Sequence, residues 1–469
     1  MQVNLPGKDP SSNFPLISQV VPVDAVLCHS ISATLSLRTC LQLEAIGKAR
    51  TTVKHHATVF MFAMCALISA PAHAAPKDDT PTMAVAVRET VDGWAVPLGL
   101  DPGSSILNKF QLSATLTGDN LGLKGWSAHA QIFRFDGQLL SARMGDLQTA
   151  DNLEAIPITR LFEAWIARQW GEDSRSIALR AGLIDLNSQF DSVDPASLFI
   201  NSSHGIAPDL SRSGRNGPSI YPVSSPGATL TVVPSKRWTI RLGAFDGVPG
   251  DPDRPRAFAA ERLGKHDGLL TIMQTDYQLS KDSRIELGAW RYSASVAAID
   301  GGTAHGRGAY VSIEAPLPIA PRLTAWVRTG FADRRAQTVA GYIGAGAVQT
   351  GTFSARPDDR LGLAIAHAII GTPAVETLGI ARAETSVEAT YQLKLSDRVA
   401  VQPDIQYIIH PAGVADAPNS LGLGLRLVFT TGFPKKAKAV DATDPTVPPD
   451  GAPTTAPADA PQTPPAAAH

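Results

Sequence analysis

Arg322-Leu-Thr-Ala-Trp-Val-Arg-Thr-Gly-Phe331 decides how the chain is read. Leu323, Ala325, Val327 and Phe331 fall on one side of an extended backbone, and Arg322, Thr324, Trp326 and Arg328 on the other, because successive side chains of a strand point to opposite faces. The same period recurs in Arg398–Ile409, where Val399, Val401, Ile405, Tyr407 and Ile409 oppose Gln402, Asp404 and Gln406. Leu421, Leu423, Leu425, Leu427 and Phe429 oppose Arg426; Ile285, Leu287 and Ala289 oppose Arg284, Glu286 and Trp290. From Phe110 to Phe433 the pattern returns about ten residues at a time, with no helix-period segment between. About fourteen such segments are plain, and weaker ones near 83–91 and 340–350 bring the total to about sixteen.

Alternation alone also fits a soluble sandwich, so the connections discriminate. Short polar turns such as Pro234-Ser-Lys236, Ser280-Lys-Asp-Ser283 and Leu395-Ser-Asp397 alternate with long connections at 136–159, 186–227, 246–268, 332–359 and 410–420. Short turns on one side and long loops on the other mark an outer-membrane barrel. Strand length agrees, since a tilted membrane strand needs about 9–11 residues. The expected fold is an all-β, antiparallel transmembrane barrel of about 16 strands with short periplasmic turns and long extracellular loops, a size that leaves an aqueous channel.

One long connection stands apart. Ser176–Gly227 begins as the alternating run Ile177-Ala-Leu-Arg180-Ala-Gly-Leu183 and leaves it through Asp185-Leu-Asn187-Ser-Gln189-Phe190-Asp191. It continues as Phe199-Ile-Asn201-Ser-Ser-His204-Gly205 and Gly217-Pro218-Ser-Ile-Tyr221-Pro222. Loops longer than about 15 residues inside a regular fold are functional or disordered. Phe190, Phe199, Ile200, Ile220 and Tyr221 give this one anchors, so it is expected to fold into the barrel and narrow it.

The 469 residues carry a formal net charge of -2 with 18% charged residues, which excludes the strongly basic face of a nucleic-acid binder. Residues 57–70 form a short apolar core after Lys48, Arg50 and Lys54, followed by Pro71 and Ala72-His73-Ala74, the pattern of a signal peptide cleaved after Ala74. The expected organisation is an extension from an early start codon at 1–47, a signal peptide at 48–74, an N-terminal periplasmic segment at 75–109, a barrel at 110–433 and a disordered Pro/Ala-rich tail at 434–469. Cys28, Cys40 and Cys65 all precede the cleavage site, so the mature chain holds no disulfide and no cysteine-ligated metal, and no cofactor is expected.

If the apolar faces meet lipid, the polar faces meet water in the lumen. That side carries Glu163, Trp165, Arg180, Arg241, Glu286, Trp290, Trp326, Arg328, Glu384, Glu388, Asp404 and Arg426, joined from the loop by Asp185, Asn187, Phe190, Asp191 and Asn201. Sugars present hydroxyls and apolar ring faces, which suit the planar donor fork of arginine, accepting carboxylates and flat tryptophan surfaces. The same Arg/Asp/Glu networks are equally what a polar barrel interior needs to satisfy its own side chains. Glu384 and Glu388 share a strand face about 13 Å apart. Glycosidase carboxylates work at about 5–9.5 Å, and neither a nucleophile elbow nor a zinc-protease or phosphate-loop motif occurs, so an enzyme is not expected.

Several segments then resemble the carbohydrate-selective porins of the OprB type. They are Leu161-Phe-Glu163-Ala-Trp165, Ala181-Gly-Leu-Ile-Asp185-Leu-Asn187-Ser-Gln189-Phe190, Leu198-Phe-Ile-Asn201-Ser-Ser-His204-Gly205, Gly217-Pro-Ser-Ile-Tyr221-Pro222 and Val401-Gln-Pro-Asp404-Ile-Gln406-Tyr407. The resemblance implies a sixteen-stranded outer-membrane barrel, monomeric or trimeric, through which glucose and other small sugars diffuse. It further implies contact with outer-membrane lipid and insertion by the outer-membrane assembly machinery. Gln189 stands where the family commonly has Glu, and His204 where it commonly has an aromatic residue.

Overall fold

The computed structural model describes residues 82–434 other than Ala260 and Ala415. The extension, the signal peptide and the tail beyond Pro434 lie outside the described residues. Strands β1 Met83–Leu98, β2 Gly103–Thr117, β3 Trp126–Gly137, β4 Ile158–Glu172, β5 Arg175–Ile184 and β6 Ser225–Ser235 come first. They are followed by β7 Trp238–Asp246, β8 Leu269–Ser280, β9 Ser283–Ala297, β10 Thr303–Pro316 and β11 Leu323–Ala332. β12 Val339–Thr350, β13 Arg360–Ile370, β14 Ala383–Ser396, β15 Val399–Ile409 and β16 Ser420–Phe433 complete the wall. Every strand pairs antiparallel with its chain neighbours, and β1 closes the circle on β16, with Val85 opposite Phe433 and Asp92 opposite Arg426. Closure removes the two open edges that a flat sheet of these strands would carry into lipid.

Two expectations are corrected. The segment at 75–109 is not a periplasmic appendage, because β1 and the first half of β2 occupy 83–109 as wall strands. Their alternation is blurred by Glu89 and Asn108, which share the outward face with Val85, Val87 and Val91 and hydrogen-bond to each other. The long connection expected at 332–359 contains β12. Its inward positions are Tyr342, Gly344, Gly346 and Val348, so the charged half of the pattern is missing although the strand pairs on both sides.

One end of the barrel holds the two-residue turns at 173–174, 236–237, 281–282 and 397–398, together with the start of β1 and the end of β16. In outer-membrane barrels the short turns face the periplasm. Trp126, Trp170, Trp238 and Tyr277 stand outward at this end, with the Arg168 guanidinium 5.2 Å and 5.0 Å from the first two rings, forming the aromatic belt of a membrane interface. Beyond this belt the wall presents Leu423, Leu425, Leu287, Val327 and Ile313 to lipid. Arg134 and Asp136, which also face outward, pair at 2.6 Å.

The opposite end carries the connections 138–157, 185–224 and 247–268, and the first two turn into the barrel. The core therefore lies inside the cylinder. Leu140, Met144 and Leu153 pack on Trp94, Leu107, Phe133 and Phe135, while Leu186, Phe190 and Leu210 pack on Phe245, Leu270, Ile272 and Trp290. The wall makes room where needed: a Cβ on Gly362 would lie 2.8 Å from both Leu198 and Phe199 of the inner loop. As β5 leaves the wall at Ile184, it exposes the upper edge of β4. Phe258, from 247–268, covers that edge by accepting from the Leu161 N–H at 2.9 Å.

Candidate permeation site inside the barrel

The inner loop, 185–224, is folded by its own polar side chains before it meets the wall. Asp185 caps the turn at Leu186–Ser188 by accepting from the Asn187 N–H at 2.9 Å. The Asn187 amide then donates to the carbonyls of Phe190, Asp191 and Gly205 at 3.2, 3.1 and 3.1 Å, tying both limbs of the loop together. Asn201 caps the turn at Ser202–Gly205 in the same way, accepting from the Ser203 N–H at 3.0 Å.

Side chains from several wall strands hold this unit across the lumen. On β11, the buried Arg328 grips Asp191 with both arms of its fork, at 3.0 and 2.8 Å, and also pairs with Asp209. Its guanidinium lies 5.0 Å from the Tyr310 ring and 5.5 Å from the Tyr342 ring, so charge and flat face are both used. On β14, Glu388 accepts from the Ile200 N–H and, at 3.0 Å, from the Asn201 N–H. On β15, Gln402 donates to the Leu198 carbonyl at 2.8 Å, and Gln406 accepts from the Asn201 amide at 3.2 Å. A cavity of about 10 Å³ lies beside Asp191, His204, Trp326 and Arg328 at that junction.

A second loop enters the lumen, which the sequence reading missed. Glu384 accepts from the Leu147 N–H at 2.7 Å and the Gln148 N–H at 3.0 Å, and Arg426 reaches Asn152 at 2.8 Å while forking onto Asp92. Burial, reinforced by Asp92, raises the Asp151 carboxyl well above the usual carboxylate range. Burial, reinforced by Asp146, does the same to Glu154. Burial also lifts Asp209 to about 6, against the pull of Arg328. The acid cluster at 146–154 was the available signal, since carboxylates this dense need a lumen or a partner.

All the lumen residues expected from the sequence face inward, but they do different things. Glu163, Phe190, Asn201, Glu388, Arg328 and Arg426 are buried holders of the loops. Trp165 is stacked 5.2 Å from His129 under the Arg180 guanidinium, Trp290 packs edge-on to Tyr292, and Trp326 packs against Phe199 and His204. Asp404 accepts from Gln406 at 3.2 Å, and Ser312 donates to Glu286 at 2.9 Å.

Below the inner loop, toward the short-turn end, a different set remains partly open. Arg241 pairs with Asp276 across β7 and β8; Arg284 bridges Glu286, Glu314 and the loop's Asp194 at 3.2, 3.1 and 3.3 Å. With Arg180 on β5 they form a ladder of charged side chains along the inner wall. Asp194, Arg284 and Glu314 were not among the expected site residues, although the inward parity of Arg284 was legible.

A closed sixteen-stranded barrel, apolar outside, polar inside and narrowed by an inward loop, defines an outer-membrane porin. The chain belongs to the family of carbohydrate-selective porins, OprB family, whose model matches residues 102–430, and is an outer-membrane sugar channel. Among solved structures, the high-pH structure of Pseudomonas putida OprB is similar over 74% of this chain and 94% of that one, at 18% identity and a TM-score of 0.65. The outer membrane channel DcaP of Acinetobacter baumannii covers 74% and 97%, at 8% identity and a TM-score of 0.49. No curated protein matches the chain.

Proposed function

We propose that small neutral carbohydrates such as glucose cross this barrel by passive diffusion, without reaction or energy coupling, along the inner wall beside and below the anchored loop. The observation that carries this reading is the partly open ladder of Arg180, Arg241, Asp194, Arg284 and Glu314. The forks of Arg241 and Arg284 and the carboxylates facing them are already paired, so a sugar hydroxyl exchanges one hydrogen bond for another and neither of these charges is offered alone to an ion. Such a track binds weakly, and weak, repeated sites favour both admission and release.

The buried set, including Trp165, Trp290, Trp326, Arg328, Glu388, Asp404 and Arg426, acts by fixing where the constriction stands. Export through the signal peptide cleaved after Ala74 and insertion by the outer-membrane assembly machinery belong to the same reading, supported by a barrel whose first strand begins at Met83.

Liposome swelling with neutral sugars and charged solutes of matched size tests it. Arg241→Ala and Arg284→Ala should reduce the preference for sugars over size-matched anions or cations. If solute size alone explains every rate in the parent protein, the sugar-track reading fails.

A further inference from the structure

The outer wall contains a place where the lipid-facing pattern breaks. On β9 the outward positions run Leu287, Ala289, Arg291, and on the neighbouring β10 they run Val311, Ala309, Arg307. Arg291 and Arg307 are direct cross-strand partners, both exposed, with His305 outward one step above Arg307. Like charges directly opposite one another destabilise a sheet, and guanidinium on a barrel's lipid face is costly away from the interface. Arg307 approaches Asp333 at 3.5 Å; among the described residues Arg291 has no carboxylate within ion-pair distance.

Immediately toward the short-turn end lies a groove of about 400 Å³, open to the outside. Its outward side chains are Leu242, Thr271, Met273 and Ala289, with Arg291 at its upper rim. Leu242, Met273 and Ala289 are register partners across β7, β8 and β9, and Thr271 is the partner of Arg291. A small residue, Ala289, beside two flexible apolar ones, Leu242 and Met273, leaves an apolar furrow on the outer wall.

We infer that this wall binds a phosphorylated glycolipid of the outer leaflet, with a phosphate between Arg291 and Arg307 and an acyl chain in the furrow below. The position supports the choice of lipid. Both arginines stand toward the end opposite the short periplasmic turns, hence in the outer leaflet, where phosphorylated glycolipid is the building material. Phosphate accepts two guanidinium forks at once and removes the repulsion between them, while the furrow gives the acyl chain a surface that a free anion would not use.

Native mass spectrometry of the full detergent-purified barrel, titrated separately with lipid A, phosphatidylglycerol and inorganic phosphate, tests the assignment. Lipid A adducts should survive activation and should fall at least tenfold in the Arg291→Ala/Arg307→Ala variant. Met273→Trp, which fills the furrow and leaves the charges, should weaken lipid A adducts severalfold. Heat-modifiable migration and unchanged sugar flux in zwitterionic liposomes will show that each variant is folded. Adducts unaffected by the double substitution, or phosphatidylglycerol or inorganic phosphate held as firmly as lipid A, would overturn the proposal.

Discussion

Arg328 shows how much one side chain can organise. It holds two carboxylates from separate turns of the inner loop and lies between two tyrosine faces, at 2% exposure. Arg328→Ala would leave Asp191 and Asp209 buried without their cation, which costs about 3–5 kcal/mol. The expected result is a lower urea midpoint together with higher and noisier single-channel conductance; an unchanged conductance would show that the loop holds its place without this anchor. Arg328→Lys should fall between, because a single ammonium cannot grip Asp191 with two parallel bonds.

His204 makes the opposite point. Burial alone depresses its imidazole to about 3, so its 3.6 Å approach to Glu388 joins a neutral ring to a carboxyl group and is no ion pair above that pH. A group depressed below its unfolded value of about 6.5 stabilises the fold above that value and loses the contribution as pH falls toward the folded one. His204→Phe keeps the contacts with Phe199 and Trp326 and removes the proton site. Its acid-unfolding midpoint should therefore move to lower pH; a midpoint that stays put would mean the ring is not what gives way first.

Among elements, the inner loop is built to be rigid. Asn187 ties its limbs together, and the wall strands β8, β11, β14 and β15 each contribute a fixed partner. Replacing Ala207–Gly217 by a short Gly-Ser linker removes Asp209 and the turn around it while keeping Asp191 and Asn201. Planar-bilayer recordings should show conductance raised severalfold and the preference among sugars flattened. If neither changes, selectivity belongs to the barrel wall. That such a loop existed was readable from its length and its aromatic anchors. Its partners were not: Asp191 and Arg328 are 137 residues apart, and Ile200 and Glu388 are 188 apart. Period-two alternation tells which way Arg328 and Glu388 point, but nothing local to either tells what arrives opposite them.

For the whole molecule, closure is the decisive step, and it runs through a charged seam. Asp92 on β1 and Arg426 on β16 are register partners, joined at 2.9 and 2.6 Å, and Arg426 continues to Asn152 of the second lumen loop. Asp92→Asn should slow or weaken closure, seen as a smaller heat-modifiable fraction after refolding into detergent, with conductance of the folded fraction near that of the parent. A folded fraction equal to the parent's would place the energy of closure in the backbone ladder alone.

The sequence by itself determined that this chain is a membrane barrel, which residues face its lumen, and that a long anchored loop interrupts it. Each of those follows from local rules: side chains alternate along a strand, and turn residues punctuate the runs. It left β1 and β12 indistinct because one carries polar groups outward and the other has no charged residue inward, only Tyr342, Gly344, Gly346 and Val348, so the contrast that alternation needs is weak. Only the tertiary structure decided that the strongest lumen residues are holders of loops, that the second loop at 138–157 also enters, and that the open polar surface lies lower, at Arg241, Arg284 and Glu314. The physical reason is that burial inside a closed wall is a property of everything that folds into it. Arg322–Phe331 announces where Trp326 and Arg328 point, and the loops arriving from far along the chain decide whether a solute can reach them.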